Sequence, residues 1–139
     1  MGKIIAIDFG LKRTGLAITD ENKIIASGLK TVDSKDLMSF LIDLFKKDKV
    51  ETIVLGLPKR LNNEPTHITE NVILLKEALV KQFPTVNVCL LDERFTSKMA
   101  FQTMIDSGLS KKQRQNKGLI DEISATILLQ SYMDSNKKF

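Results

Sequence analysis

Lys3-Ile4-Ile5-Ala6-Ile7-Asp8-Phe9-Gly10 decides the fold. Residues 3–8 form a largely apolar run that ends in a carboxylate, with a glycine close behind. A short Ile-rich run of this kind reads as a buried strand. Gly10 and Gly15 bracket a turn, and Leu16-Ala17-Ile18-Thr19 makes a second short strand. Asp20-Glu21-Asn22 has the chemistry of a hairpin turn, and Lys23-Ile24-Ile25-Ala26-Ser27 returns as a third strand. The chain therefore opens with three antiparallel strands.

Beyond them the apolar period changes. Asp33 or Ser34 caps a helix whose apolar positions Leu37, Phe40, Leu41, Leu44 and Phe45 recur at helical spacing. Thr52-Ile53-Val54-Leu55-Gly56 is a fourth strand, and a polar loop from Lys59 to Pro65 leads to a helix carrying Val72, Leu75, Leu79 and Val80. Pro84 ends it, and Val86–Leu91 is a fifth strand running into Asp92-Glu93-Arg94. Residues 97–106 are expected to be helical, 107–118 to form a polar loop, and 119–133 to form the last helix. The fold class is α/β: a five-stranded mixed sheet, three antiparallel strands then two parallel ones, with helices on both faces. Right-handed crossovers lay strands 4 and 5 parallel to strand 1. The C-terminal ends of strands 1, 4 and 5 then share one edge, where ligand sites of such sheets lie.

The composition excludes several kinds of chemistry. A chain of 139 residues fits a single domain over 1–139. One Cys (Cys89) and one His (His67) leave no disulfide and no His/Cys zinc site. No apolar run approaches the ~20 residues of a membrane span, so the expectation is a cytoplasmic protein without a membrane partner. Seventeen carboxylates remain as the means of catalysis. The net charge is +4, and its distribution is uneven: residues 94–118 hold six basic residues against Asp106 alone. Such a one-sided basic segment suits a nucleic-acid binder, while a solvated surface is the plain alternative.

Asp8 ends the first strand and Glu93 follows the fifth, so two carboxylates from distant positions reach one sheet edge. A third comes from Asp121-Glu122 near the start of the final helix. Asp121 has Ala125 and Leu128 on its side and Glu122 has Leu129 and Met133 on its own, so periodicity leaves both open. Gly10-x-x-x-x-Gly15 imitates a phosphate-binding loop, but Leu16-Ala17 stands where Lys-Ser/Thr is required. An Asp-x-Gly opening also occurs in sugar-kinase and actin-like ATPases, whose second domain this chain is too short to contain.

Four segments carry a family resemblance. Asp8-Phe9-Gly10-Leu11-Lys12-Arg13-Thr14-Gly15-Leu16-Ala17 resembles the opening D-x-G-x-K-R-x-G-x-A of the YqgF (RuvX) family. Val54-Leu55-Gly56-Leu57-Pro58 is similar to its V-x-G-L-P element. Asp92-Glu93-Arg94-Phe95-Thr96-Ser97 and Asn116-Lys117-Gly118-Leu119-Ile120-Asp121 are similar to its D-E-R and N-K-G-x-[IV]-D elements. The four fall in order over nearly the whole chain. One departure is Asn62-Asn63, where many members carry a glycine-containing turn after the G-L-P element.

That family is described as Holliday junction resolvases and pre-16S rRNA nucleases of ribonuclease H-like fold. The resemblance implies Asp8, Glu93 and Asp121 as catalytic acids and metal ligands, and so selects Asp121 over Glu122. It implies an endonuclease of structured RNA maturing the 5′ end of pre-16S rRNA. The alternatives are a resolvase of branched, four-way DNA, or a nucleic-acid-binding module without catalysis. The oligomer is a monomer or a homodimer, and paired cuts in a junction require the dimer. Three carboxylates suit two Mg²⁺ or Mn²⁺ ions, hard cations that take oxygen ligands and can sit ~3.5–4 Å apart across a phosphodiester. The residues expected to meet nucleic acid are Lys12 and Arg13 beside Asp8, Arg94 beside Glu93, and Lys111, Lys112, Arg114 and Lys117 ahead of Asp121. For Lys12 and Arg13 the plain alternative is an exposed turn, and for Arg94 an ion pair with Asp92.

Overall fold

The computed structural model describes residues 2–22, 25–57, 67–92 and 117–135. The elements run β1 (Lys3–Phe9), β2 (Arg13–Thr19), β3 (Ala26–Asp33), α1 (Leu37–Lys47), β4 (Val50–Leu57), α2 (His67–Gln82), β5 (Asn87–Asp92) and α3 (Lys117–Ser135). The sheet order is β3-β2-β1-β4-β5. β1 pairs antiparallel with β2 and β2 with β3, while β4 runs parallel to both β1 and β5. The expected mixed sheet is present.

Alternation along the strands divides the core in two. Ile5, Ile7, Leu16, Ile53 and Leu55 pack with Leu37 and Leu41 of α1 and with Val72 and Leu79 of α2. Ile4, Ala6, Ala17 and Val54 pack on the other face with Ala125, Leu128, Leu129 and Met133 of α3. Burying both faces is why the central strands are apolar without interruption. Cys89 lies on the α3 side, its thiol 3.7 Å from the Ile53 carbonyl. Burial pushes that thiol up, against the opposing effects of a hydrogen bond with Tyr132 and the charge of Lys76.

Several boundaries differ from those expected. β3 spans Ala26–Asp33 rather than 23–27. The Asp20 N–H donates to the Ile25 carbonyl at 3.2 Å and its carboxylate accepts from the Ile25 N–H at 2.9 Å, so the chain is still turning at Ile25. Ladder pairing with β2 then carries the strand to Asp33, opposite Arg13, and β2 itself begins at Arg13 rather than Leu16. β3 is an edge strand whose exposed Ser27, Gly28 and Lys30 give no apolar alternation to read. Neither Asp33 nor Ser34 caps α1 as expected; a single 3₁₀ turn, Ser34–Asp36, intervenes, and Asp33 makes no side-chain capping bond. Finally, α3 begins at Lys117 rather than 119, so Lys117 and Gly118 belong to the helix and not to the preceding loop. The helix expected over 97–106 and the loop over 59–65 lie outside the described residues.

Candidate active site

β1 delivers Asp8. Ile5 and Ile7 point to the α1/α2 core, and Ile4 and Ala6 to the α3 side, so the two-residue period puts Asp8 on the face that α3 covers. It is partly exposed, near the C-terminal end of its strand, and pairs across the ladder with Gly15. A residue directly opposite shares its face, so Gly15 also lies on the side that α3 covers.

Next comes the turn Gly10-Leu11-Lys12. A Cβ at Gly10 would lie 2.5 Å from the Arg13 carbonyl oxygen, so only glycine permits this close return of the chain. The Ser34 hydroxyl donates to the Gly10 carbonyl, and the Ser34 N–H donates to the Lys12 carbonyl at 2.9 Å. Thr14 Oγ1 lies 2.8 Å from the same hydroxyl. Lys12 is exposed and Arg13 is partly buried, so the two expected phosphate contacts differ in their freedom to move.

The final helix bears the third candidate acid. It lies across β3, β2, β1 and β4, and Ala125, Leu128 and Leu129 are its fully buried sheet-facing residues. Helical register puts Asp121 one turn before Ala125 and two before Leu128, on that stripe. Glu122 lies on the flank above β3: a Cβ at Gly28 would stand 3.6 Å from the Glu122 Cβ and 3.5 Å from Thr126 Oγ1. Gly28 belongs to the edge strand, two strands away from β1. The neighbour described for Glu122 thus lies on the edge strand, while Asp121 occupies the adjacent row of the helix. One turn on, the buried Ser124 hydroxyl has no hydrogen-bond partner among the described residues.

β5 ends at Asp92, whose register partner is Leu57. Glu93, Arg94, Lys111, Lys112 and Arg114 lie outside the described residues, as do the side chains of Asp121 and Lys117. Among the described residues no three His, Cys, Asp or Glu side chains form a metal-binding group. No described helix is long and apolar enough to cross a membrane. The sequence reading missed Ser34 as a tie to the turn: a serine before a helix signals a cap, and nothing local reveals that its hydroxyl reaches back to Gly10.

The family model for the RuvX Holliday junction resolvases matches residues 2–135. This chain belongs to that family. RuvX relatives described as "putative pre-16S rRNA nuclease" include one from Flavobacterium johnsoniae, 56% identical over 137 residues and 99% of both chains. Another, from Phocaeicola vulgatus, is 50% identical over 99% of both chains. Among solved structures, Thermus thermophilus RuvC in complex with a Holliday junction substrate superposes with a TM-score of 0.58 over 96% of both chains at 17% identity. A second Thermus thermophilus RuvC structure gives a TM-score of 0.54 over 95% of this chain and 96% of its own, at 15% identity. The RuvX chain thus has the ribonuclease H-like fold that its four motifs imply.

Proposed function

We propose that this protein is a divalent-metal-dependent endonuclease that hydrolyses phosphodiester bonds of structured RNA and matures the 5′ end of pre-16S rRNA. Asp8, Glu93 and Asp121 are its catalytic acids, in a single domain over 1–139. The observation that carries the reading is that Asp8 lies on the face of β1 that α3 covers, and α3 is the helix whose sequence bears Asp121. Glu93 follows Cys89 and Leu91, the β5 residues that pack on the α3 side, in the same two-residue series of the sequence. Relatives at 50–56% identity that carry the rRNA nuclease description support the choice of substrate.

Carboxylates are the donors that Mg²⁺ or Mn²⁺ prefers, and a partly exposed acid at a strand end can ligate without the cost of full burial. When bound, two such ions supply neutralisation of the scissile phosphate, activation of the attacking water and stabilisation of the leaving oxygen. The chain's own part is to hold its acids on rigid elements and to bring the phosphate to them. Lys12, on the fixed turn beside Asp8, meets a flanking phosphate as a point charge. Lys117, in the first turn of α3, adds a cation where the helix dipole already favours an anion.

A cleavage panel tests the proposal: rRNA precursor, single-stranded RNA and four-way junction DNA, each with Mg²⁺ or Mn²⁺ and with chelator. The expected result is metal-dependent cutting at the precursor's 5′ end. Paired cuts in the junction alone would replace this reading with the DNA resolvase, and binding without cutting would leave a binding module.

A further inference from the structure

Leu11 stands at the tip of the β1–β2 turn, 68% exposed and three residues past Asp8. An exposed leucine by itself says little, since folded surfaces carry much apolar area. Here the surrounding turn is fixed from both sides. The carbonyl before Leu11, on Gly10, accepts the Ser34 hydroxyl, and the carbonyl after it, on Lys12, accepts the Ser34 N–H at 2.9 Å. The hydroxyl is also 2.8 Å from Oγ1 of Thr14, which is fully buried. Gly10 allows the chain to return so closely that nothing larger fits against the Arg13 carbonyl. A tip held in this way loses little conformational freedom on binding. It presents an apolar side chain and, next to it, the exposed cation of Lys12, at the end of the sheet where Asp8 lies.

We infer that this turn is a rigid prong that engages substrate. Leu11 packs on the sugar and base face of a nucleotide beside the scissile phosphate, and Lys12 meets the adjoining phosphate. The inference rests on the nuclease reading above and deepens it by naming a substrate feature. An apolar side chain reaches a base face only where the stack is already interrupted or can be opened at the cost of unstacking. The prong therefore selects RNA at the boundary between duplex and single strand over continuous duplex. Ser34 is a positioning residue that holds the prong in place.

The test uses the full chain with Ca²⁺ in place of Mg²⁺ and an RNA hairpin with a single-stranded 5′ extension. A 2-aminopurine at the boundary reports unstacking, and a fully paired duplex is the comparison. Leu11 is exposed, so Leu11→Ser should melt with the wild type. It should bind the boundary RNA about tenfold more weakly at every salt concentration, because an apolar contact releases no counterions. It should also lose the 2-aminopurine signal and the preference over duplex. Lys12→Ala should instead flatten the log–log salt slope by about one unit. Ser34→Ala, which keeps both side chains but frees the turn, should weaken binding several-fold with the slope unchanged. Leu11→Ser binding the boundary RNA with wild-type affinity and signal, while the wild type cleaves RNA in the panel above, would overturn the prong alone. A wild type that neither binds nor cuts any RNA would overturn the nuclease reading and the prong with it.

Discussion

Gly10→Ala offers the sharpest test of how the turn beside Asp8 is built. A Cβ at Gly10 meets the Arg13 carbonyl oxygen at 2.5 Å and must retreat by about 0.9 Å to reach ordinary contact at 3.4 Å. The obstacle is backbone, so no side-chain rotation relieves it. The Gly10 carbonyl is also bonded to Ser34, so the turn cannot open without straining that bond. Overpacking of this kind costs about 1–3 kcal/mol. For a chain of this size each kcal/mol lowers Tm by roughly 3–4 °C, giving an expected fall of roughly 3–12 °C in a thermal melt. Asp8 lies two residues away, and a shift of about 1 Å at a catalytic group can cost as much as 10²-fold in rate. Cleavage should therefore fall by roughly 10- to 100-fold, more than the stability loss alone explains at a temperature where the variant is folded. Gly28→Ala is the control. Its Cβ finds nothing nearer than 3.5 Å, and the alanine restricts the unfolded chain, so stability should be unchanged or higher by up to about 1 kcal/mol. A Gly10→Ala variant that melts and cleaves like the wild type would show that the turn is not held as described.

Asp8→Asn keeps the side chain's shape and, in the proposed site, removes one of three mutually repelling charges. In chelator its Tm should equal or exceed that of the wild type, whereas the rise in Tm with Mg²⁺ or Mn²⁺ should be largely lost, because a ligand stabilises only the state that binds it. An equal metal-dependent rise in both proteins would remove Asp8 from the metal site. Asp121→Asn should abolish cleavage while Glu122→Gln stays within a few-fold of wild type, as single-turnover assays would show; the reverse pattern would mean that Glu122 and not Asp121 is the acid α3 supplies. Replacing Lys111, Lys112 and Arg114 together by alanine should weaken RNA binding and flatten its salt slope by roughly two to three units, with the metal-dependent rise in Tm intact. A wild-type slope would reduce that segment to a solvated surface.

The sheet is legible in the sequence wherever burial on both faces enforces an unbroken apolar run, as at Ile4–Ile7 and Ile53–Leu55. β3 is hidden because an edge strand with one solvated side has no such requirement. Its start is set instead by the Asp20 carboxylate, which holds the hairpin turn open as far as Ile25. The start of α3 is obscured by Gly118, a residue that argues against helix on propensity but costs least in a first turn. Of the candidate site, Asp8 is legible as a charged residue closing an apolar strand. The choice between Asp121 and Glu122 is not, because both continue apolar rows down the helix. The tertiary neighbour of Glu122, Gly28 on the edge strand, is likewise a fact that no local pattern carries. Ser34 is misread for a related reason. Its hydroxyl serves a contact 24 residues away in place of the helix end beside it.

Strand parity is the device that fixes Asp8. A slip of one residue in β1 would move its whole apolar set to the opposite face and turn the carboxylate toward α1 and α2. Ile5 and Ile7, both fully buried in the α1/α2 core, oppose such a slip, since each would have to exchange places with a residue of the other face. Full burial of a side chain of that size is worth about 1.5–3 kcal/mol, so two of them outweigh the modest gain available to a half-exposed carboxylate in any other setting. The irregularities of the sheet fall where they do no harm to this arrangement. The β1–β4 register shifts between Lys3 and Ile4, at the far end of the strand, and then runs unbroken from Ile4 to Ile7. The β1–β2 register is unbroken from Ile5 to Phe9, through the Asp8–Gly15 pair itself, and the shift at Leu16/Ala17 is taken up on the β3 side. The position of the acid is thus a consequence of hydrophobic packing one and three residues before it. Conservative changes at Ile5 or Ile7 that loosen the core should lower stability without redirecting Asp8, whereas an insertion or deletion between Ile5 and Asp8 should turn the carboxylate to the other face and silence the site.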